Sequence, residues 1–280
     1  MHKLSILSLF NVLVRLKIST ERKRIFYAVI CLSCSLSFVS LLQRPAFALE
    51  EQVFSLPTQL AQRRRRQYRP PADARIPRRN HSGGGVRGCG EEIAAIAPRL
   101  SSIGQTLSTH PTLVWYNYSD DAEPLELHLY RYRAGNTDGS AVEQVFVKAV
   151  GNSQKGYMSY TLPESEPGLQ IGETYFWQVV LYCDPNREEV GMWTAADIQV
   201  VSDSMGIAAQ LSGDAVSDAQ VYSEAGLWYE AIAAIDKLNT PAADNLRQTM
   251  LLDLADLEAE TDAESTPTLV EQLRRIAAEE

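Results

Sequence analysis

Residues 169–183 read Leu-Gln-Ile-Gly-Glu-Thr-Tyr-Phe-Trp-Gln-Val-Val-Leu-Tyr-Cys. Tyr175, Trp177, Val179, Leu181 and Cys183 fall at every second position. That is the period of an extended strand, and it gathers five large apolar groups on one face. We take that face as core and residues 173–183 as the longest strand of the protein. Pro167-Gly168 before it and Asp184-Pro185-Asn186 after it are turn formers that bound the run.

Working outward, the same signature recurs. Residues 112–118, 125–133, 142–150, 157–162 and 192–201 are further strands, punctuated by Ser119-Asp120-Asp121, Gly135-Asn136 and Gly151-Asn152. Leu125, Leu127 and Leu129 alternate with Glu126, His128 and Tyr130, so one face of that strand points inward and the other outward. Tyr130 and Tyr132 share the outward face and form a candidate glycan contact, since flat amphipathic rings stack on sugars. The plainer reading is that another layer covers them. Six or seven strands at this spacing fit a β-sandwich over residues 89–202.

From residue 203 the period becomes helical. Val221, Tyr222, Ala225, Trp228, Ala231, Ile232 and Ile235 recur at threes and fours. Gly226 breaks the first helix and Pro241 follows the second. Leu246, Met250, Leu254 and Leu257 line a third, and Ser265-Thr266-Pro267 opens a fourth. The fold class is therefore mainly β with an α-helical C-terminal extension over 203–280. Trp228 and Tyr229, with the open side of these helices, are the candidate contact for a protein partner.

Toward the N-terminus, Arg22-Lys23-Arg24, an uncharged stretch over 25–42, and Ala46-Phe47-Ala48 are the three parts of a secretory signal. Cleavage after Ala48, with Ala46 and Ala48 as the small residues of the site, competes with retention as a membrane anchor. Either way the expectation is an exported protein, periplasmic or extracellular. Removal of 1–48 leaves two of four cysteines, Cys89 and Cys183. In an oxidising compartment the simplest reading of an isolated pair is one disulfide; two separate buried thiols is the other. Closing that loop is worth about 4–5 kcal/mol in the chain-entropy model.

Residues 49–88, with Arg63–Arg66 in a row, Pro70-Pro71 and Gly83-Gly84-Gly85, read as a disordered linker. Charge is unevenly distributed. Residues 1–48 and 49–87 each carry +6, whereas 88–280 carry −21. A basic arm on an acidic body, once exported, meets anionic polymers or glycans rather than nucleic acid, or serves as a solvated spacer.

Three resemblances add to this. Residues 169–179 resemble the penultimate strand of fibronectin type III and other immunoglobulin-like domains. This implies that Tyr175 corners the chain, its hydroxyl bonding back to the preceding turn. Residues 222–235 resemble the turn of one tetratricopeptide-like hairpin, with Gly226 as the turn glycine and Trp228 as its aromatic; Leu238 and an early Pro241 depart from that pattern. Residues 75–89, 109–116, 172–185 and 222–231 together resemble the mainly cyanobacterial family called domain of unknown function 928, which implies export and transfers no catalytic residue.

Motifs for catalysis are missing from the sequence: no G-x-S-x-G elbow, phosphate loop, dinucleotide glycine pattern, calcium loop or zinc spacing occurs. His110 and His128 read as lone structural or exposed histidines. The expectation is a non-enzymatic envelope protein with no cofactor or metal, acting as a protein-interaction adaptor. A carbohydrate- or anionic-polymer-binding module is the alternative, and a carboxylate-site enzyme ranks third.

Overall fold

A computed structural model describes residues 65–77, 84, 85, 89, 92–133 and 141–279. The expected export signal over residues 1–48, with its Ala46 and Ala48 positions, lies outside the described residues. Among the described residues nine strands run in chain order: β1 (Gly84–Gly85), β2 (Ile93–Ala95), β3 (Gly104–Thr106), β4 (Thr112–Asn117), β5 (Pro124–Tyr132), β6 (Val142–Asn152), β7 (Gly156–Thr161), β8 (Thr174–Tyr182) and β9 (Val190–Val200). All six strands read from the sequence are present to within two residues at each end. The short β1, β2 and β3 lack enough residues to show an alternation.

The strands form two sheets. The larger has the order β1-β9-β8-β5-β6, with β3 added in parallel to β9, and the smaller is β2-β4-β7. β8 sits inside the larger sheet between β5 and β9. Its inward side chains Tyr175, Trp177, Val179 and Leu181 are all buried, as the alternation requires, together with Leu125, Leu127 and Leu129 of β5. In the smaller sheet, Leu113 and Trp115 of β4 join the same core.

Four helices follow a short 3-10 turn: α1 (Ala215–Glu224), α2 (Trp228–Ile235), α3 (Pro241–Glu258) and α4 (Thr266–Ala278). Asp214 caps α1 by accepting from Ser217 N at 2.9 Å, and Thr240 caps α3 through Ala243 N at 3.3 Å. Pro241 begins α3 rather than merely ending α2, because its missing N–H is harmless in a first turn. Helices pack in pairs, α1 with α2 and α3 with α4.

The helices share one hydrophobic core with the sheets. Polar bonds also cross the joint. Trp228 Nε1 donates to Ile96 O at 2.7 Å; Trp177 Nε1 donates to Tyr229 Oη at 2.8 Å; and the Tyr229 hydroxyl donates to Asp197 O at 2.8 Å. Two carboxylates from the helices accept main-chain N–H groups of β-region loops. Glu230 of α2 takes Leu107 N at 2.7 Å and Ser108 N at 3.1 Å. Glu258, at the end of α3, takes Arg99 N, Leu100 N and Ser101 N at 2.7, 3.0 and 2.8 Å.

The linker expectation is corrected for residues 65–77. They form no regular element, yet Tyr68 is fully buried in the common core. Its ring meets Trp228 edge-on, with centroids 4.7 Å apart. One aromatic anchor outweighs the like charge of the arginines around it, and Arg65 and Arg66 find Glu224 and Glu260 at 3.5 and 2.6 Å.

Burial raises the Glu258 and Glu230 carboxyls above their usual range, against the pull of their main-chain donors. Stability from such a group is fully present below its unfolded pKa and is lost as pH rises through the raised folded one. Glu258→Gln keeps an oxygen for two of the three donors, whereas Glu258→Leu orphans all three. We expect losses of about 1–2 and at least about 3 kcal/mol respectively in urea unfolding. The Gln chain should also lack the decline in stability that Glu258 imposes as pH rises from 4.5 through its raised folded value. Equal midpoints for the two variants would remove Glu258 from this role.

Candidate functional site

The outward face of β5 carries Glu126, His128, Tyr130 and Tyr132, beside Phe176, Gln178 and Val180 of β8. Three of these four side chains make a continuous chain of hydrogen bonds. The carboxylate of Glu126 can only accept, so His128 donates through Nε2 at 3.1 Å. In the neutral ring His128 Nδ1 then accepts from the Tyr130 hydroxyl, 3.0 Å away. Tyr182 Oη also donates to Glu126, at 3.1 Å. Burial first, and then the bond to Glu126, push the Tyr182 phenol up to about 12. Burial likewise raises Tyr130.

Arg187 completes the cluster from the β8–β9 turn, its Nε 3.6 Å from Glu126 Oε1. It is the one non-glycine among the described residues with positive φ, at 59°. The turn that holds it there is built on Asp184. The carboxylate of Asp184 accepts from Asn186 N, Glu188 N and Glu189 N at 2.8, 2.9 and 2.7 Å, which lowers its pKa. Backbone strain maintained by a preformed turn marks a side chain whose position matters. The sequence reading identified the turn but missed Arg187 and Tyr182. Strand parity places Glu126 and His128 together, whereas nothing local points a turn arginine at them.

Of the candidate glycan contacts, Tyr130 is partly exposed and Tyr132 is buried. The Tyr130 ring lies parallel to Phe176, centroids 4.5 Å apart, so a ring face that would stack on a sugar is already occupied. Tyr132 donates to Asp197 Oδ1 at 2.7 Å and packs with Phe176 and Ala195. The expected open row of tyrosines is thus corrected to one partly exposed phenol in a hydrogen-bonded cluster.

The expected partner contact is corrected as well. Trp228 and Tyr229 are buried, both facing the β-region and donating to its main chain. An amphipathic helix hides its apolar stripe, and here that stripe meets the sheets rather than a partner.

At the margin of the larger sheet, β6 hydrogen-bonds β5 on one side only; among the described residues no strand lies along its other edge. The edge is 11 residues long, and Val145 and Val147 are 42% and 44% exposed. Register shifts against β5 leave Val145 and Val150 unpaired as bulges. Beside this edge lies a cavity of about 130 Å³ lined by Leu129, Phe146, Leu162, Pro167 and Leu169, with Arg131 at its rim. Arg131 pairs with Glu143 at 2.8 Å.

Below the Arg187 turn, Cys89 and Cys183 form a disulfide with Cα atoms 5.1 Å apart. Gly191 packs against it: a Cβ there would stand 2.9 Å from Cys89 Sγ and 3.0 Å from Cys183 Sγ. Among the described residues no group of three or more His, Cys, Asp or Glu side chains is placed to hold a metal. No helix among them is long and apolar enough to cross a membrane.

Residues 82–265 match the family model Domain of Unknown Function (DUF928), and the chain belongs to that family. No curated protein matches the chain. Among solved structures it is similar to a lytic polysaccharide monooxygenase important for chitin utilization in Cellvibrio japonicus, at 12% identity and a TM-score of 0.25, over 35% of this chain and 54% of that one. It is also similar to Bacteroides uniformis beta-glucuronidase 2, at 10% identity and a TM-score of 0.25, over 73% of this chain and 34% of that one. Likeness at this level carries no argument about fold or activity.

Glu126→Gln removes the charge that favours the neutral Tyr182 phenol. The ultraviolet titration of Tyr182 should move down by about one unit, and an unchanged titration would break the link between them. Serine at both Cys89 and Cys183 should cost about 2–4 kcal/mol in urea unfolding. A midpoint equal to wild type would show that strand register alone holds the loop.

Proposed function

We propose that this member of the DUF928 family is an exported, non-enzymatic envelope protein that works as a protein-interaction module. Its β-region is an immunoglobulin-like sandwich. If β2, β4, β5, β6, β7, β8 and β9 are strands A, B, C, C′, E, F and G, the sheets are A-B-E and G-F-C-C′, an order of that kind. The Gln170 N–H donates to the Tyr175 hydroxyl at 3.0 Å, as a tyrosine corner requires. The α1–α2 pair is a tetratricopeptide-like hairpin, and the helical extension that contains it packs on the sandwich.

The observation that carries the adaptor reading is the unpaired edge of β6. A long edge with exposed valines is a template for another strand, and its bulges at Val145 and Val150 confine such pairing to the stretch between them. An extended partner segment would pair with the β6 backbone and place one apolar side chain in the cavity between Phe146 and Leu169. The Tyr130–His128–Arg187 cluster on the adjoining face supplies residue types common at protein interfaces.

Lysine at both Val145 and Val147 should abolish capture of partners from envelope extracts by the full chain, while shifting stability by less than about 0.5 kcal/mol. Capture that survives the double change would sink the edge as the contact.

A second reading, carbohydrate or anionic-polymer binding, draws on the preset carboxylate–imidazole pair of Glu126 and His128, which suits hydroxyl groups. Retention on a glycan resin that is lost in Glu126→Gln and Tyr130→Ala, but kept in the Val145/Val147 double variant, would favour it over the adaptor.

A further inference from the structure

The helical region holds an extended peptide. Residues 65–71, Arg-Arg-Gln-Tyr-Arg-Pro-Pro, lie in a groove between α1, the α1–α2 turn and α3. Asp253 of α3, itself buried, accepts the main-chain N–H of Gln67 and, at 3.2 Å, that of Tyr68. Arg69 N donates to Ser223 O at 3.2 Å, and Gln67 Nε2 donates to Ser223 Oγ at 3.1 Å. The Tyr68 ring fills the space over Trp228. Gly226 lets the chain pass, since a Cβ there would lie 2.5 Å from Pro71 Cδ and 2.8 Å from Arg69 O. Arg65 and Arg66 reach Glu224 and Glu260 at the groove's margins. An open cavity of about 800 Å³ continues alongside, lined by Arg66, Tyr68, Leu252, Asp256 and Leu257.

These contacts have the parts of a recognition site: donors read along the main chain, one buried aromatic anchor, and acidic groups set against flanking arginines. None depends on the segment being covalently continuous with the groove. A Ser-Gly-Gly-Gly run at 82–85 separates the segment from Cys89, where the disulfide ties the chain to β8. We infer that the groove is a peptide-recognition site, filled in cis by residues 65–71, which takes the same segment from a second copy of this chain. Exchange of identical segments between copies replaces every contact in kind. This site is on the helical region and stands apart from the β6 edge.

The test uses full-length chains and a fluorescein-labelled peptide spanning residues 63–72. Tyr68→Ala vacates the cis anchor. By anisotropy, the folded Tyr68→Ala chain should bind the peptide at least about tenfold more tightly than wild type, and adding Asp253→Asn should reverse that gain. A Tyr68→Ala chain with wild-type circular dichroism that does not bind the peptide overturns the inference. A second measurement leaves Tyr68 in place. Gln67→Cys chains are refolded with Ser223→Cys chains and oxidised. A covalent dimer on denaturing gels supports exchange between copies; monomers alone overturn it.

Discussion

The structure depends on acidic side chains from helices that accept main-chain N–H groups of the β-region. Glu230 and Glu258 each gather consecutive N–H groups of a loop that has no strand partner to satisfy them. A buried N–H without an acceptor costs about 1–3 kcal/mol. The loops before and after β3 can therefore be buried only because the helices are there, and the helices keep buried carboxylates only because the loops supply donors. Neither region can shed the other without leaving several polar groups stranded. The burial that raises both carboxyls is the cost of this arrangement, and the main-chain donors offset part of it.

This constraint assigns the surfaces. Because the helices use their aromatic stripe against Ile96, Asp197 and Tyr68, they leave the far side of the larger sheet and its β6 margin uncovered. There the groups are held by one another: Glu126 fixes His128, His128 fixes Tyr130, and a strained turn brings Arg187 into range. Preset polar groups of this kind lose little freedom on binding.

Much of the fold was legible in residue spacing. Alternation located the six long strands, and the change to a period of three and four located the helices, because each pattern reports which face is inside. The pairing of Cys89 with Cys183 was legible from arithmetic alone. Three things were not. Strands β1 to β3 are too short to alternate. The Arg-rich segment 65–71 has the composition of a linker, and a single tyrosine among arginines gives no periodic signal. Trp228 and Tyr229 looked like contact residues because aromatic side chains suit both cores and interfaces. What decides between them is a backbone acceptor more than a hundred residues away for Trp228, and the main chain of β9 for Tyr229. The cluster around Glu126 was half legible for the same reason: strand parity links its members on β5, while Tyr182 and Arg187 arrive through tertiary structure.

The seat of Tyr68 also has a mechanical meaning. A force applied at Arg65 and drawn away from the body loads the Arg65–Glu224 and Arg66–Glu260 pairs, then the Asp253 bonds and the Tyr68–Trp228 contact. It enters at the helical pairs, not at the sheets. Those bonds yield residue by residue, as a strip peels, whereas the disulfide between Cys89 and Cys183 beyond them loads covalently. The short segment thus acts as a fuse in series with a rigid link. Tension would strip Tyr68 from its groove before it disturbed β8, and so uncover the helical groove while the two sheets still held their shape.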